Sequence, residues 1–128
     1  MSARQHKEAV VLAYVAAFNR GDAAAIAELY ANDAQVEDPY DSPAHCGRDA
    51  IEAFYAYAMR TGAKLELDGP IRLAGNVAVF PFHVLLTHGG QPTRIDVIDL
   101  FQFDENGKIA LMQAYWSQDN VSMEESTR

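Results

Sequence analysis

At Lys64 the hydrophobic period of this chain changes. Before it, apolar side chains recur mainly at helical spacing, interrupted by one alternating stretch at Ala34 to Asp38; from Lys64 to Ser117 they alternate. Helices followed by a run of strands do not make the helix–strand repeats of a parallel sheet, so the expected class is α+β. Ser2-Ala3-Arg4-Gln5 fits a capping box for a helix running to Arg20, and Gly21 stands as its stop. Val11, Tyr14, Val15 and Phe18 fall on one stripe of that helix, which turns Tyr14 inward. Asp22 caps a short helix with Ile26, Leu29 and Tyr30 inward, and the strand to Asp38 follows. Pro39 to Pro43 reads as a turn-rich loop, and Gly47-Arg48-Asp49 leads into a third helix with Ile51, Phe54, Tyr55 and Ala58 inward.

Strands are expected at Lys64 to Asp68, Ile71 to Ala74, Val77 to Thr87, Gln91 to Asp104 and Lys108 to Ser117, with Gly69-Pro70, Gly75-Asn76, Gly89-Gly90 and Asn106-Gly107 as turns. Pro81 inside a long strand implies an edge or a bulge. The expected architecture is three N-terminal helices wrapped by a curved, mostly antiparallel sheet, in a single domain spanning 1–128. The tail from Met123 is polar and expected to fray.

One residue breaks the alternation of the strand at 91–104. Its inward face carries Ile95, Val97, Phe101 and Phe103, with Asp99 among them. A carboxylate there must lose its charge, find a cation or bind something, because an unpaired buried charge costs several kcal/mol or more. Asp38 repeats the pattern on the face of Ala34 and Val36, at a strand end before Pro39. The ordinary readings are a solvated acid at a strand end and a mid-strand Asp paired with an Arg. The functional reading puts both acids in one cavity with Tyr14, whose hydroxyl needs a partner on a buried stripe. A protonated Asp99 and Tyr14 would then be two neutral donors in a dry pocket, and Asp38 an ionised base. That set suits proton abstraction beside a carbonyl, the enolate oxygen being held by the two donors.

Composition narrows the partners. A net charge of −8 opposes nucleic acid and anionic membranes, and no apolar run approaches the roughly 20 residues of a membrane span. The polar N-terminus is no secretory signal, so a reducing cytoplasm is the expected location. A single cysteine, Cys46, excludes an internal disulfide and a cysteine-based zinc site, and is expected as a small buried filler. His6, His45, His83 and His88 lack ligand spacing and are expected in solvent. Neither metal nor nucleotide motifs occur, and no cofactor is expected. Ile98 and Leu100, on the outward face of their strand, suggest a surface covered by a second subunit, or merely scattered exposed aliphatics.

These segments together resemble ketosteroid isomerase (steroid Δ5-isomerase) from Tyr14 to about Asn120. The matching pieces are Tyr14-Val15-Ala16-Ala17-Phe18-Asn19-Arg20-Gly21-Asp22, Val36-Glu37-Asp38-Pro39, Phe54-Tyr55, Val97-Ile98-Asp99 and Met112-Gln113-Ala114-Tyr115-Trp116. The resemblance implies the cone-like α+β barrel of the NTF2-like (cystatin-like) group, a steroid substrate and a homodimer. It implies Asp38 as general base and Tyr14 with protonated Asp99 as oxyanion hole; a carboxylic acid kept neutral to donate is this family's own well-known device. By the same resemblance Tyr30 and Tyr55 extend the hydrogen-bond network behind Tyr14, though each also suits a core aromatic. Phe18, Phe54, Phe80, Phe82, Leu86, Val97, Met112 and Trp116 would wall the substrate pocket, which an ordinary core also supplies. Tyr40-Asp41 departs from the family, where glycine stands at the second position; Phe18 and Phe80 are bulkier than their counterparts. These departures bear on substrate preference.

Two other readings share the fold. A non-catalytic small-molecule-binding domain would lack one of Tyr14, Asp38 and Asp99. A polyketide cyclase or an epoxide hydrolase is the enzyme rival; the hydrolase would want an Asp-Arg-Asp set to activate water, and Arg94, the sheet arginine near Asp99, faces away by parity.

Overall fold

The computed structural model describes residues 2–123. Helix α1 (Ala3–Asn19) opens on the expected capping box, with the Gln5 amide donating to Ser2 Oγ at 3.1 Å and the Ser2 amide to Gln5 Oε1 at 2.8 Å. Gly21 ends it at φ +73°, a conformation that other L-residues adopt at a cost. Asp22 Oδ1 accepts from the Ala25 amide at 3.0 Å and starts α2 (Ala23–Ala27). Tyr30 was expected on this helix; it opens β1 (Tyr30–Glu37) instead. The Ile109 amide bonds the Leu29 carbonyl at 3.0 Å and Tyr30 pairs with Ile109, so sheet pairing captures the chain before another helical turn can form.

After β1 come β2 (His45–Cys46), α3 (Arg48–Met59), β3 (Lys64–Leu67), β4 (Arg72–Ala74), β5 (Val77–His88), β6 (Gln91–Phe103), β7 (Ile109–Tyr115), a single 3-10 turn at Gln118–Asn120 and β8 (Val121–Met123). The sheet order is β2-β1-β7-β6-β5-β3, with β4 on β5 and β8 on β6. All pairings are antiparallel except β1 with β7. The two long strands each serve two partners along one edge. β5 meets β4 at Val77–Val79 and β3 at Phe82–Leu85; β6 meets β8 at Thr93–Ile95 and β7 from Ile98 onward. This division lets the sheet curl around the helices.

Pro81 sits at one such seam. Its register with Ile98 continues unbroken, so there is no bulge, and on its other side the partner changes from β4 to β3. Its carbonyl accepts from the Asp68 amide at 2.9 Å. The missing N–H is tolerated because that stretch is locally an edge. Met123 belongs to β8 and is no part of a frayed tail; the rest of the expected tail lies outside the described residues.

One core runs between the helices and the concave sheet face, with Val11, Ile26, Tyr30, Tyr55, Phe80, Phe101, Ile109 and Met112 at most 1% exposed. No helix among the described residues is long and apolar enough to cross a membrane.

Candidate active site

Three elements bring the singled-out polar residues together. α1 presents Tyr14, the end of β1 presents Asp38, and the middle of β6 presents Asp99, all lining one cavity of about 250 Å³. Its other walls are mostly apolar. Phe18, Phe54, Phe82, Leu86, Val97 and Trp116, expected in the wall, are there. Phe80 and Met112 are not among the lining residues and correct that expectation. Phe80 is 0% exposed beneath the floor, its ring centroid 6.3 Å from that of Tyr14 and 5.1 Å from that of Phe101. Met112, also 0% exposed, pairs with Phe101, two residues beyond the Asp99–Ala114 pair that borders the cavity.

Ala58, Thr61, Ala63, Leu65, Val84 and Ile95 also line it. Val84 and Ile95 share parity with Phe82, Leu86 and Val97, so alternation could have found them. Thr61 sits in a turn after α3 and gave no sequence signal.

Asp99 is 1% exposed, and neither carboxyl oxygen has a hydrogen-bond partner among the described residues. Burial pushes its pKa well above the usual carboxylate range, the charge of Asp38 pushes it further, and the Tyr14 hydroxyl offsets part of the rise. Tyr14 packs edge-on against Phe101 and Tyr55, at 5.1 and 5.7 Å between centroids. Its hydroxyl is 3.2 Å from that of Tyr55, which is 2.7 Å from that of Tyr30. Tyr55 itself lines the cavity beside Tyr14, and Tyr30 stands behind it, so the three make one chain of hydroxyls. Burial holds all three phenols well above their ordinary pKa, so they are neutral donors at pH 7. Donation from Tyr30 to Tyr55 to Tyr14 leaves the Tyr14 proton for the cavity.

Asp38 is more enclosed than its strand-end position suggested. Burial raises its pKa, while the Trp116 indole N–H, donating to Oδ1 at 2.7 Å, and the charge of His45 lower it. Trp116 was expected only as wall; it also satisfies the carboxylate, as a half-buried indole needs an acceptor. Glu37 points away and accepts from Gln113 Nε2 at 2.8 Å. In the loop after Asp38, Asp41 holds φ +73°, keeping the backbone shape that glycine favours although the side chain is present.

Elsewhere two expectations change. Cys46 is exposed, not a buried filler. His83 is 5% exposed, with Nδ1 at 2.8 and 2.9 Å from the Asp68 carboxylate oxygens and Nε2 at 3.2 Å from Glu66 Oε1. Arg94 lies on the outer face and pairs with Asp96 at 2.9 Å. Among the described residues, no arginine, lysine or histidine lines the cavity.

Residues 11–112 match the SnoaL-like domain family. The chain belongs to that family, whose fold is NTF2-like. It is 39% identical over 110 residues to a steroid Delta-isomerase of Nocardioides simplex, covering 86% of this chain and 89% of the relative. The resemblance to ketosteroid isomerases read from the segments above is therefore borne out. Among solved structures, the epoxide hydrolase/cyclase-like enzyme SalBIII, studied for its role in pyran ring formation in the polyether salinomycin, superposes with a TM-score of 0.87. It covers 94% of this chain and 97% of its own at 22% identity, a likeness of fold alone.

Proposed function

We propose that this protein is a cofactor-free isomerase converting Δ5-3-ketosteroids to Δ4-3-ketosteroids. Asp38 removes a proton from C4, leaving a dienolate, and returns it to C6, so the double bond moves while the atoms are conserved. Tyr14 and a neutral Asp99 donate to the oxygen at C3 as negative charge develops there. Trp116 holds the Asp38 carboxylate, and Tyr30 and Tyr55 orient the Tyr14 hydroxyl. Phe18, Phe54, Phe82, Leu86 and Val97 give a flat hydrocarbon skeleton an apolar bed and exclude water.

The observation that carries this reading is the buried, unpartnered Asp99 carboxyl on the wall shared with Tyr14. A fold with no use for that acid would satisfy it or replace it. The likeness to a steroid Delta-isomerase supports the substrate class.

A cyclase or epoxide hydrolase is the second reading, favoured by the likeness to SalBIII. The hydrolase loses ground because the described cavity wall offers no arginine to activate water between two acids. A non-catalytic binding domain would not need Tyr14, Asp38 and Asp99 together.

The protein is further proposed to act as a homodimer, joined through the outer sheet face. Ile98 is 45% exposed there, opposite Tyr115, which stacks on Tyr40 with centroids 5.2 Å apart.

A substrate deuterated at C4 tests the mechanism. Label recovered at C6 of the Δ4 product supports transfer by one enclosed base. Product carrying no label at C6, or no product, contradicts it.

A further inference from the structure

We propose that Thr61 is a specificity-determining residue that accepts a hydrogen bond from a hydroxyl at the end of the substrate remote from the reacting carbonyl, so that 17-hydroxysteroids are favoured over 17-oxosteroids. The inference rests on the isomerase reading, which places the C3 oxygen beside Tyr14 and Asp99. The cavity has two unlike ends. Along β6 its wall runs from Asp99 through Val97 to Ile95, and along β5 from Phe82 through Val84 to Leu86. Asp99 and Phe82 are buried whereas Ile95 and Leu86 are only half-buried, so the cavity opens away from the acid. The same order holds on α3. Tyr55 is buried, Ala58 half-buried, and Thr61, in the turn just beyond the helix, is exposed.

Thr61 belongs to the open end. β3 pairs Lys64 with Leu85 and Leu65 with Val84, so the chain entering β3 through Ala63 approaches Leu86. Thr61 follows Tyr55 by about 9 Å at the helical rise. Asp99 and Ile95 stand about 13 Å apart along their strand. A flat four-ring skeleton seated with its C3 oxygen on Tyr14 and Asp99 therefore directs its D ring, with C17, toward Thr61 and Leu86.

The other polar side chains lining the cavity belong to the reacting end: Tyr14, Tyr55, Asp38, Asp99 and the Trp116 indole bonded to Asp38. Among the described residues Thr61 is thus the one polar wall residue at the mouth. The cations near it in sequence are engaged elsewhere. Arg60 Cζ lies 5.7 Å over the Tyr57 ring, and Lys64 Nζ donates to the Asn19 carbonyl at 2.8 Å. The Thr61 hydroxyl has a definite sense. It donates to the Ala58 carbonyl at 2.9 Å, a helix-end acceptor that the Thr61 amide reaches only at 3.5 Å. With its proton committed there, the oxygen keeps lone pairs for a donor. A 17-hydroxyl supplies that donor. A 17-oxo group brings lone pairs alone, and two acceptors repel.

The experiment measures kcat and KM for a Δ5-3-ketosteroid carrying a 17β-hydroxyl and for its 17-oxo counterpart, in wild type, Thr61→Val and Thr61→Ser. Wild type should favour the hydroxyl substrate roughly three- to tenfold in kcat/KM, the effect of one neutral hydrogen bond. Thr61→Val keeps the shape without the oxygen and should erase that ratio, whereas Thr61→Ser should retain it. The change should fall on KM, because a remote contact is alike in ground and transition states. Equal kcat/KM for the two substrates in wild type, or a ratio that persists in Thr61→Val, overturns the proposal. A loss in Thr61→Val that falls equally on both substrates assigns Thr61 to the turn alone and overturns it too. Calorimetric binding of the two Δ4 products to the same three proteins separates the proposal from the reading beneath it. If neither Δ5 steroid is converted, a binding preference that Thr61→Val erases upholds the hydroxyl contact while the isomerase reading falls; equal binding overturns the contact as well.

Discussion

A single hydroxyl group separates Tyr14 from phenylalanine, and the proposed chemistry depends on it. Tyr14→Phe should lower kcat on the order of 10²–10³-fold, the usual effect of deleting one oxyanion donor. The melting temperature should change little, because the ring keeps its edge contacts with Phe101 and Tyr55. A rise in KM with kcat intact would make Tyr14 a wall residue. For Asp99, the raised pKa has a stability consequence of definite sign. A carboxyl with a higher pKa folded than unfolded binds its proton more tightly in the native state. Its contribution therefore weakens as pH rises from the unfolded value near 4 toward the folded one. Asp99→Asn removes that dependence and should unfold at higher denaturant than wild type at pH 8, with the gap closing near pH 4. An unchanged gap across that range would mean Asp99 is charged in the fold. Both acids were legible in the sequence because strand parity is strict: one polar residue among Ile95, Val97, Phe101 and Phe103 has nowhere else to point. The Trp116 bond to Asp38 was not legible, since no local pattern says where an indole N–H finds its acceptor.

Among the elements, α1 matters most because it carries Tyr14 and Phe18 to the cavity. Its C-terminal stop is testable alone. At Gly21 an added Cβ would meet nothing within 4 Å, yet φ is +73°. Gly21→Ala should cost about 1 kcal/mol through backbone conformation rather than collision. The expected drop in melting temperature is roughly 3–5 °C; no drop would show that the chain re-routes at this turn. Helix boundaries and the long strands could be read because caps, stripes and alternation are local. β2 and β8 could not, being two and three residues long and formed only by pairing with β1 and β6. Tyr30 was misplaced for the same reason: its distance from α2 suits a helix, but its partner is Ile109 on β7. Phe80 and Met112 share the inward face with true wall residues, and parity cannot tell a cavity wall from the packed floor below it.

For the whole molecule, the outer face around Ile98, Leu100, Tyr40 and Tyr115 is expected to join two copies. Sedimentation at micromolar concentration should give about twice 14.1 kDa, and Ile98→Glu should shift the species toward monomer; a wild-type monomer would refute the interface. The wrapped α+β architecture was foreseeable from the change of period at Lys64, whereas the parallel pairing of β1 with β7 joins segments far apart in the chain and leaves no local mark. The cavity's existence depends on that closure, which brings Asp38 within 2.7 Å of Trp116. The most direct measurement is the ultraviolet absorbance of the conjugated enone formed when purified protein is mixed with a Δ5-3-ketosteroid and no cofactor. Wild type should generate that absorbance catalytically, and Asp38→Asn should bind the steroid but lose about 10²–10⁴-fold or more in turnover. Full activity in Asp38→Asn would contradict the base, and no absorbance change with wild type would contradict the activity.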